Sequence, residues 1–327
     1  MDTKKRALII GASGQDGAYL SRFLIEKGYE VFGGSRDSQN SSFENLKRLK
    51  IFDQVNLTSV SIIDFRSVLQ TINKIQPDEI YNLAGQTSVE LSFDQPVETM
   101  ESITIGTLNI LEAIRFTGSS IKLYSAGSSE CYGNARFPVD ETNAFNPRSP
   151  YGVAKATAYW EVANYREAYD IFACTGILFN HESPLRKERF VTKKIIKTAY
   201  KIFMGEDVKL EIGNINITRD WGWAPEYVKA MWMMLQRDQP EDFVIATGHS
   251  ISLKEFIEKA FNLLGLNWKD HVIENEFLLR PTDITIGLAN PQKAKQVLGW
   301  EAEFKVDDVI RLMIEGEKNQ DRTAYSF

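Results

Sequence analysis

The sequence predicts a doubly wound parallel α/β sheet with a smaller C-terminal α/β domain after it. Three observations carry this. Short β-branched runs alternate with longer amphipathic segments through the first half of the chain, the pattern of βαβ units. A turn with three glycines in seven residues, Gly11 to Gly17, joins the first apolar run to the first helical one. After Phe179 the alternation weakens, which sets 1–179 as the sheet domain and 180–327 as mainly the second domain, with an approximate boundary across which segments can interleave.

Residues 7–10 are a continuous apolar run of strand length. The glycine turn leads into a helix over 19–27, where Leu20, Phe23 and Leu24 recur at helical spacing. Further strands are expected over 30–33, 54–60, 79–84 and 121–126, with a long helical pattern over 96–116. Pro150 opens another long helix, in the first turn, where a missing N–H leaves no hydrogen bond unmade. Later helices fall near 189–204 and 253–264, and Arg280-Pro281-Thr282-Asp283 lies in a loop between two late helical segments. The two domains should pack with a cleft at the C-terminal edge of the sheet.

Composition narrows the classes. A 327-residue chain with 43% apolar residues fills a sizeable core and is not fibrous, collagen-like or disordered. Its 38 Lys and Arg against 44 Asp and Glu leave a net charge of −6, so neither nucleic acid nor a membrane surface is an expected partner, and an anionic ligand needs a local basic pocket. Two cysteines, Cys131 and Cys174, exclude a disulfide scaffold or a thiolate cage and fit a reducing compartment. No second His or Cys stands at ligand spacing from His181, so no metal is expected. The first residues carry only four apolar positions before Gly11, and no stretch approaches the roughly 20 of a membrane span; the expected address is the cytoplasm.

The chemistry begins at the glycine turn. Bare backbone at Gly11, Gly14 and Gly17 lets a pyrophosphate approach a helix N-terminus, where unpaired N–H groups and the helix dipole favour negative charge. With a strand before it and a helix after it, this is the context of a Rossmann dinucleotide site. After the second strand the chain reads Gly34-Ser35-Arg36-Asp37-Ser38. Arg36 and Ser38 favour NADP over NAD, since a guanidinium suits a 2′-phosphate; Asp37 is an unwelcome neighbour for that phosphate.

Tyr151-Gly-Val-Ala-Lys155 puts a phenol and an ammonium on one helix face. A free Tyr, with a pKa of about 10, is a poor base at neutral pH; a fixed positive charge nearby favours the phenolate and lets it take a proton from a substrate hydroxyl. Lys155 can also hydrogen-bond a nicotinamide ribose. Tyr-x-x-x-Lys alone is common, but with the glycine turn upstream it resembles the short-chain dehydrogenase/reductase superfamily. The fifth strand ends at Ser125-Ala-Gly-Ser128-Ser129-Glu130, on the sheet edge that faces the cofactor in such folds. Ser128 supplies the hydroxyl such sites need. Glu130 is the informative addition, because a carboxylate beside a transient ketone can remove the neighbouring C–H proton and then, as an acid, help a hydroxyl depart. Lys194, Arg219 and Arg280, scattered along the chain, have the chemistry to converge on a diphosphate.

Longer blocks narrow the resemblance. Gly14-Gln15-Asp16-Gly17-Ala18-Tyr19-Leu20, Tyr81-Asn82-Leu83-Ala84, Arg148-Ser149-Pro150-Tyr151-Gly152, Asn180-His181-Glu182-Ser183-Pro184, Phe190-Val191-Thr192 and Arg219-Asp220-Trp221-Gly222 resemble the GDP-mannose 4,6-dehydratase family over nearly the full chain. The resemblance implies a lyase that holds NADP tightly and turns GDP-mannose, or a close GDP-sugar such as a GDP-manno-heptose, into its 4-keto-6-deoxy product. It implies that Tyr151 removes the O4 proton as C4 is oxidised, that Glu130 removes the C5 proton and assists loss of the C6 hydroxyl, and that the hydride returns to C6. Ser128 and Lys155 complete the catalytic group. The cofactor set it implies is Gly11, Ser13, Gly14, Gln15, Asp16, Gly17, Arg36, Leu83, Ala84, Gln86, Tyr151, Lys155, His181 and Arg186. Asn180, Val191, Lys194, Arg219, Arg280 and Asp283 would contact the GDP-sugar, with Arg219 and Arg280 on the diphosphate. A homodimer or homotetramer is expected on the same ground.

Several positions depart from the family pattern. Ser128 stands for a Thr, Asp37 for the second Arg of an Arg-Arg pair, Ser61 for an Asp near the adenine, and Asp283 for a Glu; Trp223 follows Arg-Asp-Trp-Gly, where other residues are usual. The competing reading is a reductase of GDP-4-keto-6-deoxy-sugars, which resembles the Ser128-Ser129-Glu130 segment but lacks the Asn-His-Glu-Ser-Pro block.

Overall fold

The structure, a computed structural model, describes residues 4–319. Twelve strands occur in it: β1 (Arg6–Ile10), β2 (Glu30–Ser35), β3 (Asn56–Ser59), β4 (Glu79–Asn82), β5 (Lys122–Ala126), β6 (Ala173–Leu178), β7 (Asn180–Glu182), β8 (Leu210–Ile212), β9 (Thr218–Trp223), β10 (Phe243–Ile245), β11 (Ser250–Ser252) and β12 (Val272–Glu274). Seven of them form a sheet in the order β10-β6-β5-β4-β1-β2-β3, paired in parallel throughout. Helices cover both faces, so the central strands are apolar on both sides; all six residues of β6 are buried. From β1 the chain winds outward through β2 and β3, then returns to place β4 on the other side of β1. That reversal opens a crevice at the C-terminal ends of β1 and β4.

Local chemistry sets where the elements begin and end. The first helix runs Gln15–Glu26, four residues ahead of the expected start, because its first turn is Gln, Asp and Gly and carries no apolar period. Its N-cap, Gly14, makes no side-chain capping bond, so the first N–H groups face the crevice uncapped. The segment expected as one helix over 96–116 is continuous but not regular: Pro96–Met100, a wider π turn at Glu101–Ile105, then Gly106–Thr117. β3 is shorter than expected because Phe52–Gln54 closes a 3₁₀ turn before it. The long helix Pro150–Tyr169 has Ser149 as its cap, accepting the Gly152 N–H at 3.0 Å, and stops at Asp170 in the left-handed region.

The later half builds two things. Helices Val191–Phe203, Leu253–Leu263 and Val306–Lys318 enclose a second apolar core around Ile195, Phe256, Phe261, Ile310 and Met313, beside the small sheet β11-β9-β7 and the pair β12-β8. The chain also crosses back: β10 pairs with β6 at the sheet edge, and Tyr227 and Met231 of the helix Ala224–Leu235 lie in one apolar core with Leu20 and Leu24. Asp220 pins the crossing. Fully buried on β9, it accepts the N–H groups of Thr247 and His249 at 3.0 and 3.1 Å, while burial pushes its pKa up to about 6.

Candidate active site

Two cavities open at the sheet's C-terminal edge. The first, of about 520 Å³, follows the glycine turn and is lined by Gly11, Ser13, Gly14, Gln15, Asp16 and Gly17 from the turn, by Arg36 after β2, by Leu83, Ala84 and Gln86 after β4, and by Arg186. Glycine is obligatory at two of these positions. A Cβ on Gly17 would stand 2.3 Å from the Gly11 carbonyl oxygen, and Gly11 has a φ of +101° with the Leu83 carbonyl oxygen 2.8 Å from its missing Cβ. The turn therefore lies flat against β4 and leaves the uncapped helix end open. At the far end Arg36 is exposed, with Glu98 at 3.8 Å. Asp37 beside it is bonded within its own loop: its carboxylate accepts from the Gln39 and Asn40 N–H groups at 2.9 and 3.0 Å and from the Asn40 amide at 2.7 Å.

The second cavity, of about 300 Å³, gathers Ser128, Glu130, Tyr151 and Lys155 with Asn180, His181, Val191, Lys194, Arg219, Arg280 and Asp283. Elements far apart in sequence bring them together. Ser128 and Glu130 follow β5, with Ser128 Oγ accepting the Glu130 N–H at 3.2 Å. Tyr151 and Lys155 sit in the first two turns of Pro150–Tyr169, held against that loop because a Cβ on Gly152 would meet the Glu130 carbonyl oxygen at 2.8 Å. The small lobe supplies Asn180, Val191, Lys194 and Arg219. The two cavities share Asp16, Leu83, Thr87, Arg186, Arg189 and Phe190, so one opens into the other.

Burial sets the electrostatics. It pushes the Glu130 carboxyl above its ordinary range, against the opposing pull of Arg219 and Arg280. Both guanidiniums lie 3.3 Å from one oxygen of Asp283, giving a charge chain that ends at Glu130. Lys155 is pushed down to about 8 by burial, and its ammonium donates to the Ala126 carbonyl at 2.6 Å. Here the sequence-based expectation needs correction. The Tyr151 phenol is raised, not lowered: burial outweighs the pull of Ser128 and Arg186 toward the anion, while Lys155 Nζ stands 5.9 Å from the ring centroid and turns to Ala126.

His181 lines the second cavity. Both ring nitrogens are engaged within the protein, with the Phe179 carbonyl at 2.7 Å and Asp16 at 2.9 Å, and the ring stacks on Tyr227 at 4.6 Å between centroids. Arg186 pairs with Glu182 at 3.1 Å and lies 3.6 Å over the Phe190 ring. Sequence reasoning missed Thr87 and Arg189, bonded to each other at 3.1 Å where the cavities meet; the only signal for Thr87 was its place just beyond β4, and Arg189 carried none. Cys131 and Cys174 are free and buried, and no cluster of metal-ligating side chains occurs among the described residues.

A family model described as GDP-mannose 4,6 dehydratase matches residues 8–313. GDP-mannose 4,6 dehydratase 1 of Arabidopsis thaliana is 44% identical over 323 residues, covering 95% of this chain and 89% of that protein. The human GDP-mannose 4,6 dehydratase is 42% identical over 343 residues, with 97% and 92% covered, and that of Yersinia enterocolitica is 42% identical over 353 residues, with 97% and 94% covered. Among solved structures, dTDP-glucose 4,6-dehydratase of Bacillus anthracis in complex with NAD aligns at a TM-score of 0.83 with 19% identity, over 97% of this chain and 98% of that one. RMD of Pseudomonas aeruginosa complexed with NADPH aligns at 0.78 with 20% identity over the same shares, and both likenesses speak for the fold.

Proposed function

Because the chain belongs to the GDP-mannose 4,6-dehydratase family, we propose that it is a nucleotide-sugar lyase converting GDP-mannose to the 4-keto-6-deoxy sugar. The observation that carries this reading is the convergence of Ser128, Glu130, Tyr151 and Lys155 on one cavity, walled by Arg219 and Arg280 and opening into the glycine-turn crevice. The residues of that crevice suit a nicotinamide dinucleotide: the helix end is uncapped, the turn is too tight for any side chain at Gly11 or Gly17, and a guanidinium stands at the far end. When bound, that group supplies a reversible hydride store, which lets the sugar be oxidised at C4 and reduced at C6 without net redox change.

The chain's own residues do the rest. Tyr151 acts as the base once its own proton has left: as a phenolate it takes the O4 proton while C4 becomes a ketone. Lys155, fixed on the Ala126 carbonyl, holds positive charge on the side of that phenolate, which becomes a phenol again as the O4 proton arrives. The ketone acidifies C5–H, and Glu130 removes that proton. A carboxylate whose pKa is raised by burial is a stronger base than one in water, and once protonated it is placed to give the proton to the departing C6 hydroxyl, so water leaves. Arg219 and Arg280 bind the diphosphate, and Asp283, which pairs with both guanidiniums, contacts the nucleoside. Asn180, Val191 and Lys194 hold the rest of the nucleotide-sugar.

NADP is the cofactor this reading favours. Arg36 lines the crevice, and Asp37, whose charge would repel a 2′-phosphate, spends its carboxylate on its own loop. Self-association into a dimer or tetramer is supported by exposed apolar side chains on two neighbouring helices, Val97 at 69% and Trp160 at 63% exposure. No helix among the described residues is long and apolar enough to cross a membrane, and the cytoplasm remains the proposed location. The deciding experiment incubates purified protein with GDP-mannose and no added NADPH. A 4-keto-6-deoxy product at constant cofactor redox state supports the lyase; a requirement for stoichiometric NADPH and a 4-keto substrate would make it a reductase.

A further inference from the structure

The glycine turn carries a carboxylate where an anion is to bind. Asp16 lies in the first turn of the helix Gln15–Glu26 and lines both cavities. Unpaired, its charge would repel a pyrophosphate drawn to that helix end. The structure gives it a partner. His181 Nδ1 faces the Phe179 carbonyl at 2.7 Å, and Nε2 faces Asp16 Oδ2 at 2.9 Å. With Asp16 ionised, neither oxygen donates, so making both hydrogen bonds takes a proton on each ring nitrogen, which is the imidazolium form. Around this pair the turn is tied to the small lobe a second time: the Gln15 amide donates to the His181 carbonyl at 3.1 Å and to Asp16 at 3.0 Å, and accepts from the Ser183 hydroxyl at 2.7 Å.

We propose that His181 is a positioning residue that neutralises and orients Asp16, and that with Gln15 and Ser183 it latches the phosphate-binding turn to the wall of the sugar cavity. This rests on the reading of the crevice as a nicotinamide-dinucleotide site and adds an action through Asp16 to the cofactor contact expected of His181. Burial disfavours the charged imidazole, but Asp16 and the Phe179 carbonyl outweigh it and hold the pKa above its usual value, while Asp16 is held below its own. The other charged or titratable groups near the ring are Arg186, which opposes the cation from the loop after β7 and is itself paired with Glu182, and Tyr227, stacked on it from the helix Ala224–Leu235.

The sign follows. Below the pKa of an unfolded His the pair contributes fully; as pH rises through the raised folded value, His181 loses its proton, one bond is lost, and Asp16 stands uncompensated beside the bound phosphates. The test is fluorescence titration between about pH 7 and pH 9 with NADH, whose pyrophosphate does not titrate there, and with NADPH, whose 2′-phosphate has a second ionisation at about pH 6 that is nearly complete above about pH 7. Affinity of the unaltered protein for both should fall about tenfold across that range. Asp16→Asn should make the profile shallower, leaving only the part that Lys155 contributes near its value of about 8, and bind more tightly than the unaltered protein at the alkaline end, while His181→Gln should bind weakly at every pH. Thermal unfolding of the cofactor-free protein should show the same pair: melting falls as pH rises through the His181 value, and Asp16→Asn abolishes that component. A flat affinity profile in the unaltered protein, or an unchanged slope in Asp16→Asn, overturns the proposal and leaves the cofactor reading standing. Failure to bind either nucleotide at any pH overturns both.

Discussion

The two cavities are made of different material. The glycine-turn crevice is mostly backbone: two glycines that admit no Cβ, an uncapped helix end and the carbonyl edges of β1 and β4. The sugar cavity is mostly buried charge, with Glu130, Lys155, Arg219, Arg280 and Asp283 drawn from segments up to 153 residues apart, from 130 to 283. The first kind of site is destroyed by adding a methyl group. The second loses its chemistry through isosteric changes that leave the fold alone.

That contrast can be tested from its largest expected effect downward. Tyr151→Phe should lower kcat by about 10³-fold with the melting temperature and GDP affinity little changed, because only a proton-carrying oxygen is lost; turnover within tenfold of the unaltered protein would mean another group is the base. Glu130→Gln should slow dehydration by about 10²-fold or more yet still permit C4 oxidation, seen as reduced nicotinamide accumulating without 4-keto-6-deoxy product. Its melting temperature at neutral pH should not fall, since a carboxylate raised by burial opposes folding when ionised; a clear drop would place Glu130 among the structural ion pairs instead. Gly17→Ala, in the other cavity, should do the opposite: a Cβ 2.3 Å from a carbonyl oxygen forces backbone apart, costing about 2–3 kcal/mol in a denaturant titration together with loss of cofactor binding. Arg36→Ala is the smallest. It should weaken NADP binding about tenfold while leaving NAD affinity as it was, and equal losses for both nucleotides would remove the 2′-phosphate from the account of Arg36.

The same contrast explains what could be read along the chain. The alternation of strands and helices through β6, the helix at Pro150 and the crevice residues from Gly11 to Gly17 were legible because each rests on a pattern a few residues long. The first helical turn at Gln15 was not, since polar and glycine residues carry no apolar period. β7 to β12 escaped for a related reason: most are three residues long, too short for a period of two to declare itself. The return of β10 to the large sheet depends on the Asp220 carboxylate meeting the Thr247 and His249 amides, a contact with no sequence signature.

What the sequence determined by itself is the kind of chemistry available: a backbone cradle for phosphate, a phenol and an ammonium one helical turn apart, a carboxylate after the fifth strand and arginines enough for a diphosphate. Only the tertiary structure decided their electrical state. Burial lifts Tyr151 and Glu130, Asp283 collects Arg219 and Arg280, and His181 turns both nitrogens inward to hold Asp16. Spacing along a chain fixes which groups share a helix face, whereas a charge answers to the dielectric and the partners around it, and those come from segments that meet only when the chain has folded.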